Sequence, residues 1–404
     1  MDIYKNYNQD RRKFLKQSAL ASSSMFVPQF LEGFGHQEIE KHTGKVLVII
    51  QWSGGNDGLN TLVPFTNDLY YKNRQNLGIK KNEVLKVTDE LGFNPVMPEM
   101  RELYNQGLLS VINNVGYPNA NRSHFRSMDI WQTGSKANET LSTGWLGRYL
   151  DEYCKETAPY HALEVDDTLS LTLKGKNRSG FAASDLRRLN NATKNRFHQS
   201  LVKHHHDHDH DENVAYLYKT LVNTQNSAQY LHKQAKIYKS KVKYPKSSIA
   251  KQLKQIAELI VGNTDTKIYY ANMGGFDTHA GQKNRQARLL KEYSQAVGAF
   301  MKDIKQNNRI EDTLVMTFSE FGRRVKQNAS GGTDHGTANN VYFMGGNLKK
   351  AGIYNEAPNL GNLDQGDLIY SIDFRQIYAT VLKKWLNVEP QPILGESFKY
   401  LKMI

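Results

Sequence analysis

Four times along this chain an apolar run closes on a short polar turn. The runs cover residues 45–52, 108–115, 267–273 and 313–318. The turns are Ser53-Gly54-Gly55-Asn56-Asp57-Gly58, the segment from Tyr117 to His124, the segment from Gly274 to Gly281, and Ser319-Glu320-Phe321-Gly322-Arg323-Arg324. The first run, Val-Leu-Val-Ile-Ile from position 46, is continuously apolar and mostly β-branched. That pattern suits a strand buried on both faces, as in a parallel sheet. Helical patterns lie between the runs, at 98–106, from His124 through Trp131, and at 145–155, 214–241, 249–261, 282–306 and 372–385. Residues 161–165, 169–173 and 341–344 read as further short strands. Strands alternating with helices predict an α/β fold, with a doubly wound, mostly parallel sheet flanked by helices.

Ligands of open α/β sheets bind beyond the carboxyl ends of the strands. The turns there carry carboxylates, imidazoles and a hydroxyl: Asn56 and Asp57; Ser123 and His124; Asp277 and His279; Glu320 and Arg323, followed by Asp334 and His335. Each has an ordinary structural reading. Gly-Asn-Asp-Gly is common turn chemistry, and Ser123 serves equally as a helix N-cap. Together they suit metal-assisted displacement at phosphorus or sulfur. Carboxylates and neutral imidazoles hold zinc or a similar divalent ion, and the ion lowers the pKa of a hydroxyl nucleophile. Ser123 is the candidate nucleophile, at a helix N-terminus that favours anions. Arg323 or Arg122 is the candidate clamp for the ester's charge.

Other classes are excluded or disfavoured. No Gly-x-Ser-x-Gly elbow is present, which argues against an acyl-type serine hydrolase. A single cysteine, Cys154, rules out an internal disulfide and reads as a buried structural thiol. No apolar run reaches the ~18 residues of a membrane-spanning helix. The net charge of +13 is spread along the chain, so no nucleic-acid partner is expected. Near the N-terminus, Arg11-Arg12-Lys13-Phe14-Leu15-Lys16 precedes a mildly apolar stretch. This reads as an export signal for the twin-arginine translocase and predicts a periplasmic or otherwise exported protein. The expected organisation is a signal and linker over 1–43 and one domain over 44–404, with a helical, His-rich insertion around 187–262. The His-Asp tract at 204–211 is low-complexity and reads as a solvated loop rather than a defined metal site.

The motifs resemble those of domain-of-unknown-function family 1501, exported proteins grouped with the alkaline phosphatase and sulfatase superfamily. The resemblance rests on the Arg11-Arg12 signal, Ser53-Gly-Gly-Asn-Asp-Gly-Leu-Asn60, Arg122-Ser-His-Phe125, Gly275-Phe-Asp-Thr-His279, Phe318-Ser-Glu-Phe-Gly-Arg323 and Thr333-Asp-His-Gly336. It implies an alkaline-phosphatase-like fold and a hydrolase of phosphate or sulfate esters. Ser123 falls at the nucleophile, Asp57 at the first metal-bridging aspartate, and Asp277 and His279 at one metal site. Glu320 falls where the superfamily has an Asp-His pair, and His335 at the last histidine ligand. Two departures bear on the metal count. Only Thr278 separates Asp277 from His279, and Glu320-Phe321 lacks the imidazole of the Asp-His pair. The implied site holds one metal ion or an altered pair, with Asp334 or His124 as the substitute ligand. The other reading is a non-catalytic envelope protein of the same fold that binds an anionic glycan or a protein partner.

Overall fold

The computed structural model describes residues 44–154, 158–195 and 212–404. The expected export signal and the His-Asp tract lie outside the described residues. Strand β1 (Val46–Trp52) occupies the middle of a nine-stranded sheet. Its residues alternate between two cores. Val46, Val48, Ile50 and Trp52 join one, while Leu47 and Ile49 join the other. Burial on both faces is why this strand is continuously apolar.

The remaining strands of the sheet are β2 (Leu109–Gly116), β3 (Ala162–Glu164), β4 (Phe181–Ala182), β5 (Ile268–Met273), β6 (Thr313–Ser319), β7 (Asn339–Met344), β8 (Gly352–Ile353) and β9 (Ile372–Asp373). They run in the order β8-β2-β7-β6-β1-β5-β3-β4, with β9 beside β2. β1 is parallel to β5 and β6, and β3 is parallel to β5. β7 alone runs antiparallel to its neighbours β2 and β6. The connection between β6 and β7 contains no helix to carry the chain across, so it returns antiparallel.

Helices cover both faces, as doubly wound sheets require. On one side lie α1 (Pro98–Asn105), α5 (Ser248–Val261) and α6 (Gln282–Gln306), which contribute Met100, Leu253, Ile256, Leu290 and Phe300 to the first core. On the other lie α2 (His124–Thr133), α3 (Trp145–Tyr153) and α7 (Phe374–Thr380), where Trp131 stacks on Phe318 and Phe374. α5 falls inside the expected insertion, yet it is part of this packed layer. α4 (Glu212–Gln234) precedes it and ends earlier than the helical pattern suggests. The chain beyond turns so that Tyr238 and Tyr244 can donate their hydroxyls to Asp303 on α6 (2.6 and 3.0 Å).

Residues 169–173 depart from the expected strand. Leu171–Leu173 form a 3-10 turn instead. The turn carries the chain over Gly144, whose N–H donates to the Lys174 carbonyl (2.8 Å). A Cβ at Gly144 would lie 1.9 Å from the Leu171 carbonyl oxygen. The approach is closed to any other residue.

At the end of β3, Glu164 is buried and accepts the Ser170 N–H at 2.6 Å. Burial pushes its carboxyl up to about 7 from an ordinary 4.5, against the pull of that hydrogen bond. A raised carboxyl keeps its proton in the folded chain while the unfolded chain loses it. Stability from this group is therefore full below pH 4.5 and declines as pH rises to about 7, on the order of 3 kcal/mol in all. Urea titrations across that window should show a flatter slope for Glu164→Gln, which cannot ionise. Parallel slopes for the two proteins would sink the assignment.

Candidate functional site

The carboxyl ends of β1, β5 and β6 deliver three turns to one edge of the sheet, and α2 adds its first residue. β5 runs into Gly274-Gly275-Phe276-Asp277-Thr278-His279. β6 runs into Glu320, and the loop beyond it carries Thr333-Asp334-His335. Gly54, beyond β1, has φ +118°, a left-handed conformation open to glycine. A Cβ there would stand 2.3 Å from the Asp277 backbone nitrogen. Only glycine lets the β1 and β5 turns meet.

Three imidazoles converge on one carboxylate oxygen. The Nε2 atoms of His279, His335 and His124 lie 3.1, 3.4 and 3.5 Å from Asp277 Oδ1. His279 Nε2 is 2.8 Å from His335 Nε2. His124, Asp277 and His335 bring one donor atom each within 4.8 Å of the others, a group that could hold a metal ion. Tetrahedral zinc with bonds of ~2.0 Å keeps its ligand atoms ~3.3 Å apart, close to the 3.4 and 3.5 Å that separate Asp277 Oδ1 from the His335 and His124 nitrogens.

Each ring is held from behind by its other nitrogen. His124 Nδ1 faces Glu320 Oε1 at 2.9 Å, His279 Nδ1 faces Asp334 Oδ1 at 3.3 Å, and His335 Nδ1 faces the Arg122 carbonyl oxygen at 2.7 Å. A carbonyl only accepts, so His335 Nδ1 carries a proton, and Nε2 is the ring nitrogen left to bind an ion. Carboxylate or carbonyl partners behind imidazoles are the usual outer shell of a metal site. His124 Nε2 is buried without a hydrogen-bond partner, a donor set open to an ion. The residues present fit a divalent metal.

The charges are tuned by the same contacts. Burial raises the Asp277 carboxyl, but the Arg323 hydrogen bond and charge outweigh it, with help from His335 and His124, and hold it at about 2. The bond to Glu320 raises the His124 ring above its ordinary value against the effect of burial. Burial lowers His335. The Asn328 hydrogen bond leads in lowering the Asp334 carboxyl.

Several expected roles change on the structure. Arg323 was the expected clamp for the ester's charge, yet its side chain is wholly buried. Its guanidinium donates to the carbonyls of Gly55 (2.6 Å), Thr333 (2.8 Å), Phe276 (3.2 Å) and Gly54, and to Asp277 Oδ1 (2.7 Å). It orients Asp277 and has no open face for a substrate. Arg122, the other candidate, keeps 39% of its side chain exposed beside its partner Asp367. Glu320 stands behind His124 and accepts the Gly54 N–H (2.8 Å) and the Ser319 hydroxyl (3.0 Å). Asp334 stands behind His279. His124, expected only as a substitute ligand, is in the cluster.

Asp57, expected as a ligand, is turned the other way. Its Oδ2 takes Arg74 and Gln282 Nε2, each at 2.5 Å, beneath the site. Both Asp57 and Arg74 are buried. Arg74 and Gln282 escaped the sequence reading because each lies in an ordinary polar context with no motif around it. Ser123 occupies the N-cap position of α2 but makes no side-chain capping bond, and it is exposed. Its neighbour Phe125 is 87% exposed at the same edge.

Solved structures to which this chain is similar include three. An alkaline phosphatase superfamily protein from Vibrio parahaemolyticus is 10% identical, with a TM-score of 0.40, over 88% of this chain and 70% of its own. The phosphonate monoester hydrolase SpPMH from Silicibacter pomeroyi is 10% identical, with a TM-score of 0.37, over 88% and 77%. The C-terminal periplasmic domain of EcEptC from Escherichia coli, in complex with zinc, is 10% identical, with a TM-score of 0.36, over 80% and 77%. No curated protein matches the sequence. Residues 110–392 match the family described as protein of unknown function (DUF1501), and that is the family to which this chain belongs.

Proposed function

We propose that this protein is a metal-dependent hydrolase of phosphate or sulfate esters with Ser123 as nucleophile. One observation carries the reading: three imidazoles present Nε2 to Asp277 Oδ1, each braced through Nδ1. His124, Asp277 and His335 would hold the ion, with His279 at its exposed side. Neutral imidazoles and one carboxylate suit zinc. The geometry favours one ion, since Asp57 and Glu320, the carboxylates for a second, are engaged elsewhere. When bound, the ion supplies a Lewis acid that offsets ester charge and favours ionisation of a nearby hydroxyl.

The chain does the rest. Ser123 Oγ, free of a capping bond, attacks phosphorus or sulfur, and the alcohol leaves with a proton. Water then cleaves the ester on Ser123. The first-turn N–H groups of α2 and the Arg122 guanidinium take the ester's non-bridging charge. Export by the twin-arginine translocase is part of the proposal, supported by the Arg11-Arg12 motif. Among the described residues no helix is long and apolar enough to cross a membrane.

The test is Ser123→Ala assayed on 4-nitrophenyl phosphate and 4-nitrophenyl sulfate. The expected result is a loss of about a thousandfold or more in kcat, with metal content unchanged. An active variant would remove Ser123 as nucleophile. A wild-type protein that binds metal but cleaves neither ester would favour the second reading, an envelope protein that binds an anionic glycan or protein partner. That reading has one observation of its own. His279 Nε2 stands beside the three-residue group, 3.1 Å from Asp277 Oδ1 and 2.8 Å from His335 Nε2, and a fourth protein donor would close the centre as structural zinc sites are closed.

A further inference from the structure

Beneath the cluster, Gln282 is fully buried at the first turn of α6. Its Oε1 accepts the hydroxyls of Thr278 (3.2 Å) and Thr333 (2.6 Å). Thr278 lies between Asp277 and His279. Thr333 directly precedes Asp334 and His335. The Gln282 Nε2 donates to Asp57 Oδ2 (2.5 Å), which Arg74 holds in turn. The amide orientation is fixed, because a carboxylate accepts and the two hydroxyls donate. The backbone repeats the link, with Gln282 N–H to the Gly331 carbonyl (3.0 Å) and Thr333 N–H to the Thr278 carbonyl (3.3 Å).

We propose that Gln282 is a positioning residue that sets both histidine-bearing loops at once, and so fixes the affinity of the metal site read above. Asp57 acts through it. The turn after β1 then serves the metal from below, as the anchor of a buried chain from Arg74 through Asp57 and Gln282 to the two threonines. Donors held in place before the ion arrives cost no ordering when it binds, and loosening such outer partners typically weakens metal binding ~10–100-fold.

Gln286, one turn further on, supplies the control. It is also buried, donates to the Asp57 carbonyl (2.9 Å) and Asn56 Oδ1 (3.2 Å) and accepts a long bond from Gln282 Nε2 (3.4 Å), but has no bond to Thr278 or Thr333. Gln282→Ala and Gln286→Ala should both destabilise the fold. Gln282→Ala alone should lower zinc affinity ~10–100-fold by chelator competition and shift the visible absorption of the cobalt(II)-loaded protein. Thr333→Val should reproduce part of the loss, and Thr333→Ser, which keeps the hydroxyl, should restore it. In metal-free protein, amides 277–279 and 333–335 should exchange faster in Gln282→Ala than in Gln286→Ala. Equal zinc affinity in Gln282→Ala and wild type, or the same loss in Gln286→Ala, overturns the positioning role. If wild-type protein takes up no stoichiometric metal, the metal reading falls by itself. Exchange then decides the positioning role: faster loop exchange in Gln282→Ala upholds it, and unchanged exchange overturns it.

Discussion

Asp277→Ala should yield a protein that holds no stoichiometric metal and hydrolyses no ester. Asp277 Oδ1 is the atom on which all three imidazoles and Arg323 converge. Without it, three imidazoles and a buried guanidinium face one another with no carboxylate at their centre, since Glu320 and Asp334 stand behind the rings. The loss of metal affinity should exceed the ~10–100-fold typical of outer-shell partners. Metal content should be measured by mass spectrometry on protein from which residues 203–211 are deleted, since a His-rich tract binds metal without defined geometry. One ion per chain in Asp277→Ala would show that the strand-end cluster is not the site.

The second large effect concerns stability. Arg74 is wholly buried, donates to Asp57 and Asn60, and also ties down the carbonyls of Val325 (2.9 Å) and Arg324 (3.0 Å). Arg74→Met leaves the Asp57 carboxylate buried beside an apolar side chain, with one oxygen already lacking a partner. Breaking such a pair costs about 3–5 kcal/mol. The double variant Asp57→Asn, Arg74→Met should cost clearly less than the sum of its parts, because the stranded charge is gone. Urea unfolding of the four proteins measures both effects. Strict additivity would mean that the two side chains do not act as a pair.

The layout of the sheet was legible in the sequence where period and burial agree. Continuous apolar runs gave β1, β5 and β6, and the helical period over 282–306 gave α6 to the residue. The stretch 169–173 misled because an apolar alternation of five residues fits a strand or a 3-10 turn, and the close approach of Gly144 decides between them. In the site, residue types located the cluster: Asp277, His279 and His335 stand together where strand ends converge. The roles were less legible. Whether Glu320 or Asp334 binds an ion directly or braces an imidazole turns on one bond length, which no spacing encodes. Asp57 reads as a ligand by position. It is committed to Arg74 and Gln282, 17 and 225 residues away, and neither carries a local signal of that pairing.

The central position of β1 also sets the order in which this chain becomes safe. Its two flanking partners, Ile268–Met273 and Thr313–Ser319, are made more than two hundred residues after it. At ~5–20 residues per second, the ribosome exposes Val46–Trp52 for on the order of 10–50 s before both partners exist. A seven-residue, mostly β-branched, uncharged strand with two open edges is a template for pairing with other chains. Nascent or truncated chains ending before Thr313 should therefore aggregate or occupy holding chaperones, whereas the finished protein hides that segment more completely than almost any other.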